Sequence, residues 1–132
     1  MEIKIETVVP IEVLENVFVT AIEGGSNYWY YLSTRAVTAV RNKVPKNEDP
    51  YLATAILKAV LDHNVVVPIN DAENEGDVLG CISKNTLQER LQKLAGDEGC
   101  KWALNNELND NGDADSSDVV FQYIVMGEVV YG

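Results

Sequence analysis

The spacing of apolar residues changes several times along the chain, and each change marks an element. In "EIKIETVV" (residues 2–9) hydrophobic and polar positions alternate, the period of a strand with Ile3 and Ile5 on one face. Pro10 suits the first turn of a helix, and Leu14, Val17, Phe18 and Ala21 then recur at three- and four-residue spacing as far as Gly24 and Gly25. Val13, Val17, Val19, Thr20 and Ile22 are β-branched and lower the helix propensity without erasing the stripe. The two glycines supply a left-handed stop, after which the chain turns into "NYWYYL". Extended there, it would place Tyr28, Tyr30 and Leu32 on one side and Trp29 and Tyr31 on the other, one side being core.

Asp49 and Pro50 make a good helix start, followed by an apolar stripe of Leu52, Ala53, Ile56, Leu57 and Val60 that ends near His63 and Asn64. "NVVVPI" reads as a short strand in which Pro68 demands an edge or a strand end, and "NDAENEGD" as a polar turn. Ser83 caps a further helix with Leu87, Leu91 and Leu94 on one face until Gly96. Asp97 starts another, with Cys100, Leu104 and Leu108 inward. After "NDNGDADSSD", the run "VVFQYIVMGEVVYG" is too long for an ordinary strand. As a helix to about Met126, capped by Asp115 or Ser116, it gathers Val119, Val120, Tyr123, Ile124 and Gly127 on one face. These elements predict an α+β fold, a helix-rich single domain over residues 1–132 with about four to five helices and a small sheet of short strands.

Composition narrows the class. A hydrophobic content of 46% with 23% charged residues describes a globular chain, and 132 residues fall within the usual size of one domain. The longest apolar runs, such as Val65 to Ile69, fall far short of the roughly 20 residues that span a bilayer, and the first residues lack a signal-type pattern. The expected location is the cytoplasm, with no membrane partner. There Cys81 and Cys100, too far apart for a CxxC motif, are expected as reduced, mostly buried thiols.

Twenty-one acids against ten bases give a net charge of -11, which repels nucleic acid and argues against direct binding to it. The charge is uneven. Residues 33–46 carry Arg35, Arg41, Lys43 and Lys46 with no acid and are read as a solvated face or loop, whereas residues 102–132 carry six acids and no base.

Two terminal stretches carry the distinctive chemistry. "TAIEGGSNYWYY" holds two glycines and four of the ten aromatic rings, and "DADSSDVVFQYIVMGEVVYG" closes the chain. Together they resemble an uncharacterised family of small bacteriophage and prophage proteins. The resemblance rests on Thr20, Ala21, Glu23, Gly24, Gly25, Tyr28 and Trp29, then on Asp118, Gln122, Gly127, Glu128, Val130, Tyr131 and Gly132. Met126 stands where that family's ending has an aromatic residue. The resemblance implies a phage origin and brings no activity with it.

A physical reason for such motifs at both ends is that they pack together. Gly24, Gly25 and Gly127 would permit close backbone approach, and Trp29 and Tyr131 would fill the space beside them. Glu23, Gln122 and Glu128 then either hold the junction or line a pocket with aromatic walls. The candidate binding residues are Glu23, Asn27, Tyr28, Trp29, Gln122 and Glu128.

Other chemistry is thin. Residues 107–118 set Glu107, Asn109, Asn111, Gly112, Asp115 and Asp118 at positions 1, 3, 5, 6, 9 and 12 of a calcium loop. Positions 1 and 12 hold the wrong acids, however, and an acidic cap on the last helix explains the same residues. His63 sits at a helix end, neither Cys has a local activating partner, and no nucleophile elbow, phosphate loop or HExxH is present. The expectation is a non-catalytic protein without cofactor or metal. Its partner would be a host or phage protein, or a small ligand, engaged at the aromatic junction. The alternatives are an acidic anti-defence inhibitor that imitates DNA and a small calcium-binding protein.

Overall fold

A computed structural model describes residues 8–132, so the strand predicted around Ile3 and Ile5 lies outside the described residues. The chain forms α1 (Ile11–Thr20), a single π turn (Ala21–Gly25), β1 (Tyr30–Tyr31), α2 (Thr34–Lys43), α3 (Leu52–His63), β2 (Val67–Asp71) and β3 (Val78–Ile82). Three helices complete it, α4 (Lys84–Ala95), α5 (Lys101–Leu108) and α6 (Ala114–Met126). Over the described residues it is a helix-rich α+β fold with six helices and a small antiparallel sheet in the order β1-β2-β3.

The helix beyond the expected number is α2, in the basic stretch read as a face or loop. Its inward positions are only Ala36 and Val40, with Val44 just beyond, so the apolar stripe is thin and its threonines and valines obscure it. It is fixed at both ends by side chains. Ser33 Oγ accepts from the Ala36 amide at 3.1 Å, and Arg41 donates to the carbonyls of Val44 and Asp49 at 3.3 and 2.5 Å. One of the four basic residues is therefore structural.

Strand β3 is the other element the periodicity missed. It pairs with β2 through Val67↔Ile82, Pro68↔Cys81 and Ile69↔Gly80, then slips by one residue at Asn70↔Val78, leaving Leu79 as a bulge. Because β1 reaches only Asn70 and Asp71, Pro68 has a strand on one side alone among the described residues, which is how the middle strand accommodates it.

Helix α6 is the axis of the molecule. Six consecutive residues, Val120 to Val125, are buried, and a helix buried on every side must be surrounded. It meets α1, the π turn, α4, α5 and β3. Its start is two or three residues earlier than a cap at Asp115 or Ser116 would place it. Asp113 caps it, accepting from the Ser116 amide at 2.8 Å while Ser116 Oγ accepts from the Asp113 amide at 2.8 Å. Its end is the left-handed glycine, Gly127 at φ 77°.

The end of α1 departs from expectation. Gly24 is extended at φ 174°, not left-handed, and the helix stops by widening into a π turn closed by Ser26 N–H to the Ala21 carbonyl at 3.0 Å. Nor do these glycines let the two ends approach. A methyl on Gly24 would meet nothing within 4 Å, and one on Gly127 would meet Arg90. The strict close approach is elsewhere, where a Cβ on Gly80 would lie 2.2 Å from the Val125 carbonyl oxygen, bringing β3 onto α6.

Backbone cannot yield there as a flexible side chain would. Gly80→Ala is expected to lower the unfolding free energy in urea by about 2–3 kcal/mol. Gly96→Ala, whose Cβ would sit an ordinary 3.7 Å from the Lys93 carbonyl oxygen, should change it by less than about 1 kcal/mol. Equal midpoints for the two variants would refute the role given to Gly80.

Candidate functional site

The π turn releases the chain as Ser26, Asn27, Tyr28 and Trp29, and three of these four send a donor to one carboxylate. Asp118 Oδ1 accepts from Ser26 Oγ at 2.6 Å and Trp29 Nε1 at 2.9 Å, and Oδ2 accepts from Tyr28 Oη at 2.7 Å. The fourth donor is Gln122 Nε2 at 3.0 Å, one turn further along α6. An ionised carboxylate offers about four acceptor sites, and all are used.

Gln122 extends the network to the chain end. Its Nε2 also donates to the Tyr131 carbonyl at 2.8 Å, and its Oε1 accepts from the Val130 and Tyr131 amides, both at 2.9 Å. The side-chain amide thus does for the tail what a neighbouring strand would do. Tyr131 is held with its ring stacked on Trp29, centroids 5.6 Å apart and planes at 12°. Behind them Trp29 packs on Tyr30 and Phe121, and Phe121 on Phe18.

The two terminal motifs therefore meet, through hydrogen bonds and rings rather than through Gly24 or Gly127. The expected alternation of Tyr28 to Leu32 fails because residues 27–29 form a turn, not a strand. Trp29 and Tyr30, neighbours in sequence, are both buried, and Tyr28 points outward.

The six candidate residues separate accordingly. Trp29 is 1% exposed and Gln122 is wholly buried, so both act inside the junction. Tyr28 is 52% exposed with its hydroxyl on Asp118. Glu23, Asn27 and Glu128 are exposed and contribute no side-chain bond to the network. None of the six lines the cavity of about 460 Å³ or that of about 210 Å³, and at the junction the aromatic rings pack on one another. Sequence reasoning missed Ser26 altogether. The four-residue spacing of Asp118 and Gln122, which puts both on one helix face, was the available signal for their partnership.

The calcium-loop positions divide between separate bonding sets. Glu107 Oε1 accepts from Ser116 Oγ at 2.8 Å and Ser117 Oγ at 2.7 Å, while Asp118 faces the seam. A Cβ on Gly112 would fall 2.1 Å from Glu107 Oε2, so the carboxylate fills the place of a side chain. Among the described residues no group of three or more His, Cys, Asp or Glu is arranged to hold a metal.

Two other groups bear on reactivity. Tyr123 donates to Asp97, which together with burial pushes its phenol up to about 12, while the same bond and the Gly99 amide hold the Asp97 carboxyl below its usual range. Burial, reinforced by Asp97, pushes the Cys100 thiol up, the opposite of an activated nucleophile. His63 is exposed in the last turn of α3.

The chain matches no family model, and neither a curated protein nor a solved structure shows significant similarity to it.

Removing the carboxylate leaves the Trp29 and Ser26 donors inside the fold without a partner. Asp118→Ala is expected to cost about 3 kcal/mol in urea unfolding, with Asp118→Asn intermediate because its amide turns donors toward Tyr28 and Gln122. Wild-type stability in both variants would refute the central role of Asp118.

The seam also predicts an alkaline limit. Burial and the Asp118 carboxylate raise Tyr28 from 10.0 to about 12. A tyrosine that holds its proton more tightly when folded contributes stability that is full below about pH 10 and lost as pH rises toward about 12. Tyr28→Phe should therefore flatten the fall in stability over that window, and an unchanged slope would contradict the assignment.

Proposed function

We propose that the protein is a non-catalytic accessory protein of phage or prophage origin, acting in the host cytoplasm, that engages a protein partner with the surface held around Tyr28. The observation that carries this reading is the state of Tyr28, a ring half in solvent whose hydroxyl is fixed at 2.7 Å to Asp118. An exposed aromatic side chain that is already immobilised loses little entropy on binding, and tyrosine is among the residues that most often anchor interfaces. Val129 and Val130, 37% and 53% exposed, lie on the tail pinned by Gln122 and add apolar surface to the same network. Asn27 and Glu23 are exposed just upstream and supply polar rim contacts. Trp29 and Gln122 support this surface without touching the partner.

A second reading, imitation of DNA by an acidic inhibitor, is favoured by one observation. Among the described residues only Lys58–Asp49 and Lys101–Glu98 form ion pairs, so most carboxylates of a chain with net charge -11 have no cation paired to them.

Tyr28→Ala should cut recovery of the partner from infected-host lysate by at least about tenfold while leaving the circular dichroism spectrum unchanged. Trp29→Ala is the wrong probe, because emptying that buried site should cost about 3–5 kcal/mol and unfold part of the population. Undiminished capture by folded Tyr28→Ala would reject the proposal. Capture that survives for Tyr28→Ala but collapses between low and high salt would support the acidic reading instead.

A further inference from the structure

We infer that the groove between α1 and α3 is a docking site for a basic amphipathic helix of a partner protein. It is a second surface that goes beyond the Tyr28 reading and uses none of its residues. The groove has a volume of about 460 Å³. Its floor is apolar: Ile11 from the first turn of α1, 43% exposed, and Leu57 and Leu61 one turn apart on α3. Tyr51, 63% exposed, stands at one end. Leu57 is 2% exposed and forms the base, so the accessible apolar surface is that of Ile11, Leu61 and Tyr51, and a space of this size takes side chains from one face of a helix rather than the helix itself.

Charge selects the occupant. The lining carries the carboxylates of Glu15, Glu48, Asp49 and Asp62 against one ammonium, that of Lys58. Lys58 is already bound to Asp49 at 3.2 Å, whereas Glu15, Glu48 and Asp62 form no ion pair among the described residues. An apolar floor edged by unneutralised carboxylates fits leucine-like anchors flanked by Lys or Arg, and it repels an acidic segment.

The wall is built before any partner arrives. Asp49 accepts from the Tyr51 amide at 3.0 Å and Thr54 Oγ1 at 2.6 Å, and Arg41 donates to the Asp49 and Pro50 carbonyls at 2.5 and 3.3 Å. Burial pushes the Asp49 carboxyl up, but the bonds from Thr54, Tyr51 and Lys58 outweigh it and keep the group ionised below the usual range. The loop that closes the groove is thus held from both sides, which lowers the ordering cost of docking.

The test uses the full chain and a fluorescein-labelled synthetic peptide with Leu at i, i+3, i+4 and i+7 and Lys elsewhere, read by anisotropy at about 0.15 M salt. A scrambled peptide of the same composition should bind at least about tenfold more weakly. Glu15→Lys combined with Asp62→Lys should weaken the patterned peptide by at least about tenfold, and Tyr51→Ala by severalfold. Tyr28→Ala should leave it unchanged, which separates failure of this groove from failure of the Tyr28 surface. Equal affinity for the two peptides, or wild-type affinity in the charge-reversed variant, would reduce the effect to general attraction by an acidic protein and overturn the inference.

Discussion

A carboxylate set among aromatic rings must have its acceptor sites filled, and this condition at Asp118 ties the turn after α1 to the last helix and, through Gln122, to the closing tail. Four donors reach it, three from the turn after α1 and one from its own helix. The buried donors of Ser26, Trp29 and Gln122 would be costly to strand without their acceptor, so loss of Asp118 is felt by all three. Gln122 passes the constraint on. With two donors and two acceptor sites engaged, its amide is fully satisfied only while the tail lies beside it. The stacking of Trp29 on Tyr131 follows from these bonds, because the tail has no strand or helix of its own to place it.

The same helix that carries Asp118 and Gln122 organises the rest of the core. Because α6 is enclosed on all sides, its partners must approach from several directions, and one of them is a strand whose glycine lies against a helix carbonyl. At the other end of α6, Arg90 and Lys93 from α4 donate to the carbonyls of Ile124 and Gly127 at 3.2 and 2.9 Å, closing acceptors that the helix itself leaves open. The acidic N-terminal stretch and these cations at the C-terminal end both complement the helix dipole.

Structural and interacting roles are divided between neighbouring residues. In the seam, Ser26 and Trp29 turn inward and Tyr28 outward, so one segment holds the junction and presents a fixed ring to solvent. In the α1/α3 groove, Asp49 and Arg41 stabilise the wall while Glu15, Glu48 and Asp62 keep unneutralised charge. In each case the surface is shaped by bonds that do not depend on a partner.

The sequence by itself determined the elements whose apolar period is strong or whose ends carry a recognisable cap: α1, α3, α4 behind Ser83, and a last helix running to Met126. It also led to the expectation that the two terminal motifs meet around Trp29, Tyr131 and Gln122, which they do, although not through Gly24 or Gly127 as expected. It missed α2 and β3, whose inward positions are few and small, and placed the α6 cap too late because several adjacent polar residues can each serve. Only the tertiary structure decided that Asp118 is the acceptor, that Gly80 and not Gly24 is the point of close approach, and which rings face water. The reason is physical: periodicity reports which side of one element is buried, whereas a hydrogen-bond partner some ninety residues away depends on how separate elements are brought together.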